Sequence, residues 1–443
     1  MQLARRIHAP VILPADPDCS VLRDAVLDVR EDGRIAYCGA KAVAPSVEGV
    51  AETRLTGILM PGLVNTHAHT AMTPLRGMGG DLPLMSWLQD VIWPAEARMR
   101  GRDAYAGMLL GCVEMLQYGI TTSAEMYIHS EEVVAAALTA GIRALVAPAY
   151  FDLPGTGWRS ALSAIGKWID EDGLRFGPAE RIELCYGPHS AYTLPFEALR
   201  ATAEAAVPRG ALVHIHLAES REEDRRQRAE FGSVPQLLDS AGLLETRLLA
   251  AHAVHLSRQD IRLLAGSGAG VAHCPGSNAK LASGTADLRA LRAASVAVGL
   301  GTDGPASNDD LDPWEEMRLA MMFARLLSED ALALTARDAL LMATREGAAA
   351  LGRRDIGALE PGRWADVIHI GVDGPHFAAG LDIADEQLMA NLVWAAGSRA
   401  VRDVWVGGQQ VTADGEPLFV DRVAAQRAVA EAAAHLVPTA YRG

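Results

Sequence analysis

The chain has 443 residues, half of them hydrophobic, and 55 acidic against 40 basic side chains give a formal net charge of −15. This balance disfavours nucleic acid and anionic membranes as partners, because both bind clustered positive charge, and the five cysteines lack the paired spacing of a disulfide framework or a thiolate zinc site. No apolar run reaches the roughly 20 residues that cross a bilayer and the first residues lack a secretory pattern, so we expect a cytoplasmic protein with a small-molecule ligand.

The two ends of the chain carry short apolar runs separated by turn signals, which is typical of antiparallel β structure. Such runs flank Gly33 near the start and occupy residues 365–370 and 401–406 near the end. We predict that segments 1–57 and 358–443 pair as one small β-sandwich domain, with a surface helix at the C-terminus.

Between these segments, residues 58–357 alternate predicted strands with amphipathic helices, the pattern of parallel β/α units. Predicted helices include Ser130–Ala140, followed by the helix-ending Gly141, and longer stretches over residues 312–327 and 335–351. The predicted strands are 59–66, 121–127, 144–151, 182–187, 212–217, 248–253, 270–274 and 296–303. Eight such units predict an α/β fold, a (β/α)₈ TIM-like barrel whose chemistry lies at the carboxyl ends of the strands.

The first barrel strand ends in the stretch PGLVNTHAHT, residues 61–70. His67 and His69 lie one residue apart, and alternate side chains of a strand point to the same face. Two imidazoles on one face form half of a divalent-metal site, since a catalytic zinc has about three protein ligands and one open position.

Later strand ends supply the remaining candidates. The strand that contains His214 and His216 is followed by Glu219, the next strand ends at His252, and a strand of small residues ends at Asp303. Metal ligands are predicted to be His67, His69, His216 and Asp303, a set of nitrogen and oxygen donors that suits Zn²⁺ or Fe²⁺. Glu219 and His252 then remain for proton transfer, and His214 and His273 are interpreted as supporting or core groups.

Five stretches together resemble the amidohydrolase superfamily, in the branch that deaminates adenine-type nucleosides and includes triazine hydrolases. They are PGLVNTHAHT, HIHLAES, AAHAVHL, AHCPGSNAKLASG and GTDGPASNDDLD. The resemblance extends over nearly the whole chain and is strongest to the deaminases of 5'-methylthioadenosine and S-adenosylhomocysteine. It implies a metal-dependent aminohydrolase, acting on the C–N bond of a cyclic amidine, that converts 5'-modified adenosines, with adenosine as a further candidate, to inosine analogues and ammonia.

The resemblance also implies roles for two further residues: Glu96 would hold the ribose hydroxyls and His189 would contact the nucleoside. Binuclear members of the superfamily bridge two metals with a carboxylated lysine, but the corresponding strand here ends Cys185-Tyr-Gly-Pro-His189. We therefore expect one divalent metal, most simply Zn²⁺, with Fe²⁺ as the alternative.

A mechanism follows as a hypothesis. Asp303 takes the proton of the attacking water, Glu219 protonates N1 of the adenine ring, and His252 orients the water and stabilises the oxygen of the adduct. Glu219 and Asp303 would thus also contact the substrate.

Two alternative functions stay open at this point. In the first, the substrate is an s-triazine, a pterin, a guanine or another aminated heterocycle. In the second, the chain is a non-catalytic barrel that binds ligands. Arg159 is a candidate for a carboxylate on the 5' substituent, against the simpler interpretation of a solvated loop side chain. Association into a homo-oligomer is also left open by the sequence.

Overall fold

Strands and helices alternate through the centre of the chain, whereas both ends contribute antiparallel strands. The computed structural model describes residues 2–152 and 157–437. The strands are β1 (Leu3–Ile12), β2 (Leu22–Arg30), β3 (Ile35–Ala40), β4 (Ala51–Arg54), β5 (Ile58–Pro61), β6 (Leu63–Ala68), β7 (Ile120–Tyr127), β8 (Arg143–Tyr150), β9 (Arg175–Phe176), β10 (Ile182–Leu184), β11 (Gly187–Pro188), β12 (Leu212–Leu217), β13 (Arg247–His252), β14 (Gly270–His273), β15 (Ala297–Leu300), β16 (Val367–Ile370), β17 (Val401–Val406), β18 (Gln409–Ala413) and β19 (Glu416–Pro417).

Helices connect most of these strands. The α-helices are α1 (Leu84–Ser86), α2 (Trp93–Glu96), α3 (Gly101–Gln117), α4 (Ser130–Ala140), α5 (Trp158–Asp172), α6 (Phe196–Ala206), α7 (Arg221–Phe231), α8 (Val234–Ser240), α9 (Arg258–Ser267), α10 (Pro275–Lys280), α11 (Leu288–Ala293), α12 (Pro313–Ser328), α13 (Ala336–Met342), α14 (Arg345–Ala350), α15 (Asp385–Ala390) and α16 (Arg422–Leu436). Within the described ranges, no helix combines the length and the apolar character needed to cross a membrane.

One sheet carries the strands of the predicted barrel, in the order β12-β13-β14-β15-β6-β7-β8-β10-β9, with β11 also paired to β8. Its pairs are parallel except for the short β9 against β10. Between β10 and β11, the backbone of Tyr186 exchanges two 2.9 Å hydrogen bonds with β12, donating to Leu212 and accepting from His214. The predicted α/β class is confirmed, while closure into a (β/α)₈ barrel stays a prediction.

Side chains alternate along β12, and this alternation determines which residues face the candidate metal site. Val213, Ile215 and Leu217 belong to the largest cluster of buried apolar side chains, which also contains Leu199 of α6. His214 and His216 occupy the alternate positions and therefore project from the opposite face of the strand. The apolar core on one side thus fixes both imidazoles on the other.

Both ends of the chain meet in a second sheet of nine strands, in the order β19-β18-β17-β16-β5-β1-β2-β3, with β4 on β1. Strand β5 lies in this sheet, antiparallel to β16 and parallel to β1, although residue 58 was the predicted start of the barrel. The division at residues 57 and 357 and the sandwich arrangement of the small domain remain predictions.

Two predicted elements are each split in two. The strand predicted over residues 59–66 is interrupted at Gly62, whose N–H donates to Asp366 O and where a Cβ would lie 2.1 Å from Thr121 Oγ1. The helix predicted over residues 335–351 breaks at Thr344, with φ −132° and ψ −99°, because the carbonyl of Ala343 accepts from Val64 of β6 instead of continuing the helix. Both interruptions are caused by contacts between distant parts of the chain.

A buried ion pair joins the two sheets. Arg143 at the start of β8 donates from Nε and Nη2 to both carboxylate oxygens of Asp366, at 2.9 and 3.0 Å, and the two side chains are 0 and 2% exposed. Asp366 also accepts from the N–H of Gly407 at 2.6 Å. The carboxylate is therefore compensated entirely by groups from both sheets.

Replacing Arg143 with methionine is expected to lower the free energy of unfolding by about 3 kcal/mol, because the charge of Asp366 would remain buried without its partner. Urea unfolding measures the change. Arg209→Met is the matched control: its bidentate partner Asp170 is 57% exposed, so a loss below about 1 kcal/mol is expected. Equal losses in the two variants would show that the buried pair has no special role.

Candidate metal and substrate site

Four predicted ligands converge at the carboxyl ends of three strands. His67 lies in β6, His69 follows that strand, His216 lies in β12 and Asp303 follows β15. Asp303 Oδ1 is 3.4 Å from His67 Nε2 and 3.2 Å from His69 Nε2, and His69 Nε2 is 3.2 Å from His216 Nε2. The structure thus brings together ligand atoms that are separated by up to 236 positions in the sequence.

The outer ring nitrogens of these histidines are already occupied. His69 Nδ1 lies 2.5 Å from the carbonyl of Met126, and His216 Nδ1 lies 2.8 Å from the carbonyl of His189. A carbonyl only accepts, so each Nδ1 carries a proton. The two Nε2 atoms therefore face each other at 3.2 Å, and a cation, either a proton or a metal ion, is needed between them.

The spacing of the donor atoms fits a metal. Tetrahedral ligands at zinc–nitrogen and zinc–oxygen bond lengths of about 2.0–2.1 Å are roughly 3.3 Å apart, which matches the observed 3.2–3.4 Å. His67 Nε2 is buried and has no hydrogen-bond partner among the residues that the structure describes. The candidate ligand atoms of His67, His69 and Asp303 all lie within 4.8 Å of one another, as do those of His67, His216 and His252.

Burial and charge set the protonation of this cluster. Burial lowers the pKa of His67 to about 3 and keeps that of His216 well below its usual range. Burial acts to raise the pKa of Asp303, but His67 and His69 hold it well below its ordinary value. At His69, burial acts to lower the pKa of the imidazole. Without a metal, the neighbouring Asp303 carboxylate has the larger effect and raises that pKa to about 9. A metal therefore competes with one proton between His69 and Asp303.

Glu219 and His252 lie beside the four ligands. His252 Nδ1 is 2.9 Å from Asn278 Oδ1, so its Nε2 faces the cavity, 3.9 Å from Glu219 Oε2. Burial raises the pKa of Glu219, which favours the protonated carboxyl that a proton donor to a ring nitrogen requires. His252 and Asp303 have φ of 70° and 60°, left-handed backbone that directs both side chains into the site.

Glu96 and His189 line the same cavity as Glu219, His252 and Asp303. Glu96 ends α2, and apolar walls around it include Trp87, Leu88 and Trp93. His189 follows β11, and its carbonyl accepts from both the backbone N–H and the Nδ1–H of His216, at 3.0 and 2.8 Å. The predicted substrate residues and three of the four predicted ligands, His69, His216 and Asp303, therefore line one pocket.

Several residues that support the site were given no role by the sequence. Ser277 Oγ donates to Asp303 Oδ2 at 2.6 Å, Asn278 fixes His252, and Glu125 accepts from the N–H and hydroxyl of Thr70, which follows His69. For Ser277 and Asn278 the available signal was a pair of neighbouring polar residues shortly after strand β14, in helix α10. His214, interpreted as a supporting group, has its Nε2 at 2.7 Å from His67 Nδ1.

Arg159 lies outside this cavity. It is exposed at the start of α5, with its guanidinium 4.1 Å from the ring centre of Trp158, and it lines a groove between α5 and α6. Gly155 and Thr156, from the same predicted loop, lie outside the described residues. The described geometry therefore does not support the predicted contact between Arg159 and a carboxylate on the 5' substituent.

The sequence is similar to that of several known proteins. Residues 58–411 match the model of the amidohydrolase family. The 5-methylthioadenosine/S-adenosylhomocysteine deaminase of Pelotomaculum thermopropionicum is 42% identical over 403 residues, covering 89% of this chain and 91% of that protein. The 5'-deoxyadenosine deaminase of Methanosarcina mazei is 38% identical over 428 residues, covering 95% of each chain.

Among solved structures, an adenosine deaminase from Xanthomonas campestris with bound zinc superposes with a TM-score of 0.90. It is 34% identical in sequence, and the alignment covers 98% of each chain. The match extends over both sheets, since these lie between residues 3 and 417.

Proposed function

The chain belongs to the amidohydrolase family, and on that premise we propose that it hydrolytically deaminates the 6-amino group of 5'-modified adenosines. 5'-Methylthioadenosine and S-adenosylhomocysteine are the proposed substrates, and adenosine is a further candidate. One observation carries the proposal: His69, His216 and Asp303, which cluster with the buried His67, line the same cavity as Glu96 and Glu219. Relatives that are 38–42% identical over most of the chain carry these activities in their names.

The four clustered residues would hold one divalent metal, and Zn²⁺ is proposed over Fe²⁺ because the donor spacing suits tetrahedral zinc. When bound, such a metal supplies a water of lowered pKa and Lewis acidity at neutral pH. The second oxygen of Asp303 is held by Ser277, which fixes the direction in which the carboxylate meets its neighbours. No lysine occurs between Lys167 and Lys280, so one metal is proposed.

The proton steps are assigned to three side chains. Asp303 accepts a proton from water as its oxygen adds to C6 of the adenine ring, and Glu219 donates a proton to N1 so that no negative charge accumulates there. His252 hydrogen-bonds the new C6 oxygen and so stabilises the adduct. Asp303 then gives its proton to the amino nitrogen and Glu219 regains a proton from the C6 hydroxyl, so that breaking of the C6–N bond releases ammonia and leaves the hypoxanthine nucleoside.

Recognition of the sugar is assigned to Glu96, and contact with the nucleoside to His189. A carboxylate accepts two hydrogen bonds from a vicinal diol, which adenosine derivatives have and triazines lack. Burial raises the pKa of Glu96 to about 6, opposed by Tyr127 and His69. Glu96 is therefore ionised at neutral pH and protonated in mild acid.

This protonation predicts a pH-dependent KM. Between pH 7.5 and 5 the ionised fraction of Glu96 falls roughly tenfold, so the KM for 5'-methylthioadenosine is expected to rise by a similar factor. Steady-state kinetics at saturating metal test this, with metal content checked at each pH. Glu96→Gln is the control and should show a high KM that is constant over this range; a KM that rises equally in both proteins would rule out the role of Glu96.

The finer architecture is proposed on the same premise. Amidohydrolase folds are of the TIM-barrel type, and we propose that the ten-stranded sheet closes as eight β/α units over residues 58–357. The nine-stranded sheet would then form the small domain from segments 1–57 and 358–443. Cytoplasmic location and homo-oligomer formation stay predictions.

A further inference from the structure

A buried carboxyl group lies behind the candidate site and does not line its cavity. Glu316, in the first turn of α12, is 0% exposed. Trp314, two residues earlier, is also fully buried and donates from Nε1 to Tyr118 O at 2.9 Å, so this end of α12 is held in a fixed place. Taking a carboxyl group out of water is costly, and its hydrogen bonds indicate what it stabilises.

Glu316 joins two segments that support the site. Oε2 accepts from the backbone N–H of Gly276 at 3.0 Å, and Oε1 accepts from the side-chain amide of Asn308 at 3.0 Å. Gly276 lies in the first turn of α10, whose N-cap residue, Cys274, makes no side-chain capping hydrogen bond. Glu316 therefore supplies, from a distant helix, an acceptor for the start of α10.

The two residues after Gly276 contact groups of the site. Ser277 Oγ donates to Asp303 Oδ2 at 2.6 Å, and Asn278 Oδ1 lies 2.9 Å from His252 Nδ1. A small movement of α10 would therefore displace both hydrogen-bond partners at once.

Asn308 belongs to the turn that follows Asp303. Its N–H donates to Gly304 O at 2.9 Å, and the N–H of Gly304 donates to Asp303 Oδ1 at 2.8 Å. Glu316 thus binds both the helix that contacts one oxygen of Asp303 and the turn that contacts the other.

These segments are packed without free space between them. A Cβ at Gly276 would lie 2.3 Å from Asn308 Oδ1 and 2.4 Å from Glu316 Oε1. Because closely packed groups transmit displacements, a change at Glu316 is expected to move both α10 and the turn.

We propose that Glu316 is a positioning residue for the proposed deamination: through Gly276 and Asn308 it fixes α10 against the turn after Asp303, and so fixes the directions of Asp303 and His252. The inference rests on the proposed function and adds a residue that lies outside the cavity. Burial raises the pKa of Glu316 well above its ordinary value, which favours the neutral carboxyl. A neutral amide of the same size is therefore a close substitute.

The test compares this amide with an apolar side chain of the same length. Glu316→Met removes both acceptors and is expected to lower kcat for 5'-methylthioadenosine about 10- to 100-fold. KM should stay within about twofold, because Glu96 and His189 lie on other elements. The zinc dissociation constant, measured by competition with a chelator, should rise about tenfold.

Glu316→Gln should restore kcat and zinc affinity to within about threefold of the wild-type values. Its carbonyl accepts from the N–H of Gly276, and its amide donates to Asn308 Oδ1 once the Asn308 amide has turned over.

Two controls separate positioning from stability. Glu315→Met makes the same change at the exposed neighbour in α12 and should leave kcat and zinc affinity unchanged. Arg143→Met breaks the buried ion pair between the two sheets, so it should lower stability in urea and change neither quantity. If Glu316→Met does not fold, Gly276→Ala tests the same link from α10, because the added Cβ displaces Glu316 and Asn308; it should lower kcat and zinc affinity at an unchanged KM.

Wild-type kcat and zinc affinity in Glu316→Met or in Gly276→Ala would overturn the positioning role. Losses in Glu316→Gln or in Arg143→Met as large as those in Glu316→Met would also overturn it. Zinc affinity is measured without substrate, so it tests the role of Glu316 even if the wild-type protein deaminates none of the nucleosides, a result that would remove the deaminase proposal alone.

Discussion

Glu219→Gln is expected to reduce kcat for 5'-methylthioadenosine by about 10³-fold and to leave the metal content unchanged. Glu219 is the proposed donor of the proton to N1, and general acid–base groups typically contribute 10²–10⁴-fold. Glutamine keeps the size of the side chain and removes its transferable proton. Burial raises the pKa of Glu219, which is the direction that favours the protonated form this step uses.

Metal analysis and single-turnover kinetics on the same preparation test this expectation. Glu230→Gln makes the same chemical change at an exposed position near the other end of α7 and should be fully active. Full activity of Glu219→Gln would remove the proposed proton donor. Loss of the metal from that variant would instead assign Glu219 to the ligand set.

Asp303→Ala is expected to abolish measurable deamination and to weaken metal binding at least 100-fold. Asp303 is the one carboxylate among the proposed ligands, and its removal leaves three imidazoles and no negative charge to balance the cation. The variant also loses the proposed acceptor of the water proton. Metal content after dialysis against a weak chelator, with activity before and after zinc addition, measures both effects.

Ser277→Ala provides a graded comparison. It removes only the 2.6 Å hydrogen bond to Asp303 Oδ2, so a loss of 10- to 100-fold in metal affinity or activity is expected. An Asp303→Ala protein that retains one metal per chain would exclude Asp303 as a ligand, and a Ser277→Ala protein as impaired as Asp303→Ala would indicate a general structural defect.

The positions of the strand-end histidines followed from local sequence. The alternation of His67 with His69 and of His214 with His216 needs only the twofold period of a strand. The apolar residues that alternate with the second pair, Val213, Ile215 and Leu217, fix the direction of that pair. The relative placement of the four strand ends follows from parallel β/α order. Local pattern and order along the chain were therefore enough to predict which ligands meet.

Other features depend on contacts that no local pattern contains. Gly62 separates β5 from β6 because Thr121 occupies the space that a side chain would need. The left-handed backbone of His252 and Asp303 is held by neighbouring strands, and Asn278 reaches His252 from a helix 26 positions later.

The proposed choice of 5'-modified adenosines can be tested in one assay. Metal-loaded protein is mixed separately with 5'-methylthioadenosine, S-adenosylhomocysteine, adenosine and an aminotriazine, while ammonia release and the adenine-to-hypoxanthine absorbance change are followed. We expect fast release of one ammonia per molecule from the first two nucleosides, with the matching absorbance change. Ammonia from the aminotriazine alone, with all three nucleosides unchanged, would contradict the assignment of Glu96 and His189 and of the 5'-modified adenosine substrate.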